Sequence, residues 1–425
     1  MIGAGLRGAT LRSAFQLNRI RRLWLPPETA ADAGVLLAAR GVRAFADGFV
    51  SVLLPAYLLG LGFQAFQIGA VATATLVGSA VLTLLVGLVA HRFRTRPLLT
   101  SAAVLMAVTG AGFVFVHDYW PLMVVAFVGT LNPSAGDVSV FLPLEQSSLS
   151  RTVSAKERTS LFARFSLVGS LVGAAGALSA GLPELVASHS GVSIAQSLQG
   201  MFLLYGALGL IALLLYRRLS PSLEEEHQVR TPLRESRRVV YTLAALFSLD
   251  SFGTGFAVQS LMALWLFQRF DLALTTAGTI FFWTGLCSAA SYLVAARLAK
   301  RIGLINTMVF THLPSNVLLI LVPFMPNLPL AIALLLARFA LSQMDVPTRN
   351  SYVMAVVPPA ERPAAASVTA APRTLASAIS PLASGYLLGI TTFGWPLVIS
   401  GTLKGLYDLL LLAMFARVPP PEEVE

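Results

Sequence analysis

Apolar runs long enough to cross a lipid bilayer follow one another along almost the whole of this 425-residue chain. A membrane helix needs about 20 consecutive apolar residues. Window hydropathy and breaker residues mark about twelve such segments. They are 34–60, 67–90, 97–116, 121–145, 161–184 and 200–216 in the first half, then 239–267, 273–296, 304–325, 328–350, 364–390 and 396–416 in the second. Runs of this length imply helices, which satisfy their own backbone hydrogen bonds inside lipid. The short alternating segments of a membrane barrel do not occur in the sequence. The expected fold is an all-α polytopic membrane protein.

Composition agrees. Charged residues make up 12% of the chain, against about 25% in soluble domains. The net charge of +10 invites a nucleic-acid reading, but no binding motif of that kind is present. The basic residues instead fall between alternate apolar runs: Arg92, Arg94 and Arg96, then Arg151, Lys156 and Arg158, then Lys300 and Arg301. Of all Arg and Lys, Arg269 alone falls in a predicted outer loop. That asymmetry predicts an even number of spans with both termini in the cytoplasm. Arginine outnumbers lysine 27 to 3 in an Ala-rich chain, which suits a high-GC bacterium and hence the inner membrane. The lone Cys287 excludes an intramolecular disulfide and a thiolate metal cluster.

Residues 1–32 carry Arg7, Arg12, Arg19, Arg21 and Arg22 among scattered apolar residues. They read either as an amphipathic helix on the inner leaflet or as a basic tail, with no cleavable signal peptide. Residues 217–238, with Glu224-Glu225-Glu226, Pro221 and Pro232, read as a charged cytoplasmic linker. The expected organisation is a tail (1–32), a six-helix bundle (33–216), the linker (217–238), a second bundle (239–417) and a short tail (418–425).

The two bundles look like copies. Pro143-Leu144-Glu145-Gln146-Ser147 recurs 204 residues later as Pro347-Thr348-Arg349-Asn350-Ser351, and Glu157-Arg158 recurs at the same shift as Glu361-Arg362. A shift of 203 relates Asp47 to Asp250. A very hydrophobic chain of two related halves is the mark of a two-bundle secondary transporter. The recurrence also reverses a charge, Glu145 against Arg349, which suggests a latch between the halves near the cytoplasmic side.

With six-plus-six segments, a central linker and a signature after the second segment of each half, residues 33–417 resemble the major facilitator superfamily. The signature G-x-x-x-D-R-x-G-R-[RK] is matched by Gly87-Leu88-Val89-Ala90-His91-Arg92-Phe93-Arg94-Thr95-Arg96 and by Ala299-Lys300-Arg301-Ile302-Gly303. Both copies depart from it. His91 and Lys300 stand at the acidic position, and Arg94 replaces a glycine. The resemblance implies that His91, Arg92, Lys300 and Arg301 border the cytoplasmic gate, with the carboxylate's role passed to another latch. Gly169, Gly173 and Gly176 resemble the glycine series of drug exporters, though small residues at that spacing equally serve helix packing.

Ionisable residues at bilayer depth cost about 2.5–3.5 kcal/mol each on insertion scales, so they pair or line a cavity. The resemblance turns the first, fourth, seventh and tenth helices towards a central path. Those segments hold Arg40, Arg43 and Asp47; Asp137 and Glu145; Asp250; and Arg338, Asp345 and Arg349. Arg43–Asp47, Asp345–Arg349 and Lys404–Asp408 are each four apart and can pair along one helix. Asp250 has no basic neighbour within a turn, so it is the expected carrier of a coupled proton, with Asp137 next. Arg40, Arg43 and Arg373 can receive an anionic group. Trp265, Trp283, Phe281 and Phe282 read as core or lipid-facing surface.

The function expected is secondary active transport by alternating access, working as a monomer: proton-coupled efflux of a drug-like or small organic compound, with a lipid bilayer, a small-molecule substrate and H+ as partners. Import of an anionic metabolite, efflux of a metalloid and a non-transporting sensor of the same fold stay open. No phosphate-binding P-loop is present, no cofactor is implied, and no cluster of catalytic acids or histidines suggests an enzyme.

Overall fold

The computed structural model describes residues 30–89, 93–134, 139–153, 155–220, 233–358 and 361–415. The expected gate residues His91 and Arg92, and the expected pathway residue Asp137, lie outside them. The described residues are helical almost throughout. The first half runs α1 (Ala31–Gly60), α2 (Ala65–Val89), α3 (Thr95–Phe115), α4 (Tyr119–Val128), α5 (Phe141–Ser150), α6 (Ala155–Ser179), α7 (Leu182–Ser190) and α8 (Ile194–Tyr216). The second runs α9 (Arg237–Phe256), α10 (Gln259–Phe270), α11 (Leu274–Ile302), α12 (Leu304–Leu321), α13 (Leu328–Ser342), α14 (Asp345–Val356), α15 (Arg362–Ile390) and α16 (Trp395–Phe415).

Ten helical stretches are long and apolar enough to cross a membrane. The two remaining predicted segments are also helical, in altered form. The fourth is split into α4 and α5, and the eleventh is α15, a 29-residue helix whose small and polar residues dilute its hydropathy. The split follows from sequence: Gly129 and Pro133 interrupt the run, and proline removes a donor while restricting the residue before it.

The seventh segment also breaks, between α9 and α10, and the backbone groups it frees are taken up elsewhere. Ser384 Oγ donates to Phe256 O at 2.9 Å, and Ser260 N donates to Pro133 O at 3.0 Å in the fourth segment's break. Irregular backbone at this depth is tolerable only when so satisfied.

Helix packing obeys a two-fold rule. In the first half α1 packs on α6 and α8, and α3 on α8; in the second α9 packs on α15 and α16, and α12 on α16. These are the same pairs advanced by six segments. Between the halves α2 packs on α15 and α6 on α11, and the same advance exchanges one pair for the other. Gly69 and Gly385 make the first crossing possible: a Cβ on Gly69 would lie 2.7 Å from the Gly385 Cα.

Candidate functional site

Two buried charged networks occupy equivalent places, one in each half. In the first, Arg43 of α1 forms an ion pair with Glu145 of α5. Tyr216 of α8 donates to Glu145 Oε1 at 2.6 Å and accepts from Arg43 Nε at 3.0 Å. Arg43 also lies over the Phe141 ring, 4.2 Å from its centroid. Glu145 is completely buried, so both partners depend on one another.

In the second, Asp250 of α9 accepts from Arg349 Nη1 of α14 at 3.0 Å and from Lys404 Nζ of α16 at 2.9 Å. Arg349 also reaches Asp345, at 3.6 Å. Lys404 further donates to Thr254 Oγ1 at 2.8 Å. His312 Nδ1 of α12 lies 2.9 Å from Asp408 Oδ1, and Asn316 Nδ2 donates to Asp408 Oδ2 at 2.8 Å. Arg373 Nε of α15 donates to Ser251 Oγ at 3.3 Å.

The two networks use the same helices with the charges exchanged. The first segment of the amino-terminal half supplies a cation, Arg43, to the acid of the fourth. The first segment of the carboxy-terminal half supplies an acid, Asp250, to the cation of the fourth. Arg43–Glu145 and Asp250–Arg349 are thereby each paired inside one half, which explains how a recurrence can reverse charge without stranding either member.

Several sequence expectations change. Glu145 and Arg349 do not meet in this structure; each is held inside its own half. Arg43 turns from Asp47 to Glu145, because α5 presents a carboxylate already oriented by Tyr216. Asp47 lies beside Asn132 instead. Asp250, expected to be the freest acid, has both oxygens taken by cations from distant segments. Lys404 and Asp408 do not pair with each other, since each faces a different neighbour across the bundle. Charge is not confined to the first, fourth, seventh and tenth segments: His312, Lys404 and Asp408 belong to the network, and Tyr216 belongs to the other.

The remaining expected residues are spread more widely. Arg40 is buried, over the Phe165 ring at 5.2 Å and against Gly169. Arg338 is buried at the inner end of α13. Lys300 and Arg301 occupy the exposed last turn of α11, where cations suit the helix dipole. Gly176 lies against the backbone of Phe45, so the glycine series of α6 packs that helix on α1. Trp265 is buried, with Nε1 donating to Thr392 O at 3.1 Å, while Trp283 is exposed.

Sequence reasoning gave no role to Glu184 of α7, which accepts from Leu274 N at 2.6 Å and Thr275 N at 2.9 Å. It caps the first turn of α11 from the opposite half. With Gln259 Nε2 donating to Ser51 Oγ at 2.9 Å, and the Gly69–Gly385 crossing, it closes the bundle at the end away from the chain termini.

The comparisons with known proteins agree with this architecture. The profile of the Major Facilitator Superfamily matches residues 36–342 and 246–425. An uncharacterized membrane protein of Saccharomyces cerevisiae is 25% identical over 423 residues, covering 91% of this chain and 94% of the yeast protein. A bacterial homologue of the human lysosomal transporter Spinster, solved inward-facing and occupied, superposes with a TM-score of 0.71 at 12% identity, over 91% of this chain and 97% of that one. The nucleoside transporter NupG gives 0.69 at 15% identity, over 91% and 99%. The human organic anion transporter MFSD10 gives 0.66 at 17%, over 91% and 100%. At these identities the structural likenesses show the fold. The chain belongs to the Major Facilitator Superfamily, as a multi-pass membrane protein and a secondary transporter of small solutes rather than an enzyme.

Proposed function

We propose that this chain drives a small organic solute across the cytoplasmic membrane with a proton gradient, and that Asp47 is the carboxyl group that takes the proton. The observation that carries this is the contrast between two equivalent acids. Asp47 is buried beside the neutral amide of Asn132, and although Arg43 and Arg40 act on it from a distance, it has no ion pair within 4 Å among the described residues. Protonating it breaks no ion pair. Protonating Asp250 would strand Arg349 and Lys404 in a buried site, and an uncompensated buried charge is strongly unfavourable.

The cycle follows from the packing. The end away from the termini is closed here, by contacts that separate as rigid halves rock. On closure of the other end, Glu145 and Arg349 approach and exchange their present partners, giving two discrete arrangements. The basic loops support a cytoplasmic location for the termini.

Mass spectrometry of cells with and without the chain identifies the solute by its changed accumulation. A fall marks export, the direction we expect; a rise marks import. In proteoliposomes, Asp47→Asn should keep solute counterflow and lose accumulation driven by an imposed pH gradient. Full pH-driven accumulation by Asp47→Asn removes this assignment.

A further inference from the structure

The carboxy-terminal network carries more positive than negative charge, and Arg338 is where the surplus is unanswered. Arg338 is 8% exposed, and its Nε and Nη1 are buried with no hydrogen-bond partner among the described residues. Its guanidinium lies beside the Phe339 ring, 4.5 Å from the centroid. Among the described residues, Asp250 is the one charge near enough to act on it, and Arg349 and Lys404 already fill both Asp250 oxygens. Arg373 reaches the same cluster and donates its Nε to a neutral hydroxyl. Three carboxylates (Asp250, Asp345 and Asp408) thus face four fixed cations (Arg338, Arg349, Arg373 and Lys404), with the His312 imidazole against Asp408 as a fifth basic group.

A guanidinium buried without an acceptor is costly to keep. It also presents a planar fork of donors that fits a carboxylate in bidentate fashion. Arg338 stands at the end of α13, just before the interruption at Gln343 and Met344 that separates α13 from α14. Interrupted helices near the middle of the bundle are where transporters of this kind hold their solutes.

We infer that Arg338 receives the carboxylate of a small organic monoanion, with Arg373 as the second cation of the subsite. One negative charge offsets the excess of fixed cations over carboxylates, and an inorganic dianion costs more to strip of water in so buried a place. This rests on the transport reading above and names the class of solute. The outward order of events is simple: the incoming carboxylate supplies the acceptor that Arg338 lacks, and its departure restores the surplus that favours reloading.

The test uses the purified full-length chain in detergent, with thermal unfolding as the readout. The probes are sodium benzoate, salicylate and lactate, with benzamide, salicylamide and lactamide as neutral counterparts and sodium sulfate as the dianion. At least one carboxylate should raise the unfolding midpoint of the wild type by several degrees, as a ligand of the folded state does, while its amide and sulfate leave it unmoved. Arg338→Met should unfold no lower than the wild type without ligand, because no bond is lost, and should not respond to the carboxylate. Arg338→Lys should respond less than the wild type, because it keeps the charge and loses the fork.

A flat wild-type response to all three carboxylates overturns the inference. So does a carboxylate response that survives in Arg338→Met, or a marked drop in the ligand-free midpoint of that variant. Binding in detergent needs no gradient, so a failure of proton coupling at Asp47 leaves this result standing. An anion-insensitive chain that still accumulates solute on a pH gradient fails this inference alone.

Discussion

Glu145 has no exposed surface, and its two oxygens are shared between Arg43 and Tyr216. Removing its charge leaves Arg43 buried beside a neutral group. Glu145→Gln should therefore lower stability on the scale of a broken buried pair, about 3–5 kcal/mol, and replacing both Arg43 and Glu145 by Met should recover most of it. Thermal unfolding of the two variants checks this; a double variant as unstable as the single would mean that the pair does not act as a unit. At the membrane edge Glu361 shows a different use of a carboxylate. It accepts from the backbone N–H of Arg234, Glu235 and Ser236 and from the Ser236 hydroxyl, tying the start of α15 to the start of α9. The Ser236 hydroxyl first, then the backbone donors, hold its pKa down at about 2, from 4.5. A depressed carboxylate stabilises the fold above its unfolded pKa and loses that contribution as pH falls through the folded one. The stability advantage of the wild type over Glu361→Gln should thus be full above about 4.5 and vanish towards about 2. Unfolding midpoints measured across that range read it, and a gap that does not change with pH contradicts it.

At the scale of elements, the broken helices matter most. The fourth, seventh and tenth segments each interrupt near the buried charges, and the freed backbone is rebonded across the molecule, Ser260 to Pro133 being the clearest case. Closure of the end away from the termini depends on two small features. Glu184 caps α11 from the other half, and Gly69 lets α2 and α15 touch at backbone distance. A Cβ at Gly69 would stand 2.6 Å from Pro381 O, so backbone would have to move. Glu184→Ala and Gly69→Ala should each open that end. With Cys287→Ser as background, a cysteine at Gln259, half-buried here against Ser51, should react faster with a polar maleimide in both variants. Unchanged labelling in both would show that the closure lies elsewhere.

For the whole molecule, the opposed polarity of the two networks changes how a latch must be tested. Exchanging Glu145 and Arg349 for each other would set an arginine beside Arg43 and a glutamate beside Asp250, and both halves would suffer whether or not the latch exists. Cross-linking avoids this. Gln146 and Asn350 are exposed neighbours of the two residues. A Gln146→Cys/Asn350→Cys pair should form a disulfide only when the terminal end closes, and more of it when Glu184→Ala has opened the other end. No cross-link in either background would leave Glu145 and Arg349 as structural ions of separate halves.

Composition and the rhythm of apolar runs were enough to determine a polytopic helical protein of two related halves, because bilayer thickness fixes helix length and the internal recurrence relates one set of runs to the other. The repeat around Glu145 and Arg349 was legible for the same reason: equivalent positions keep equivalent neighbours in sequence. Partners were not. Spacing along one helix nominated Asp47 for Arg43 and Asp408 for Lys404, but a side chain at bilayer depth takes the strongest acceptor within reach, and that is set by which segments lie side by side. Tyr216, His312 and Lys404 come from segments outside the four expected to line the path, and Glu184 comes from the very end of the fifth apolar run. Only the packed bundle decided that Asp250 would be saturated and that, among the described residues, Asp47 would have no ion pair and Arg338 no acceptor.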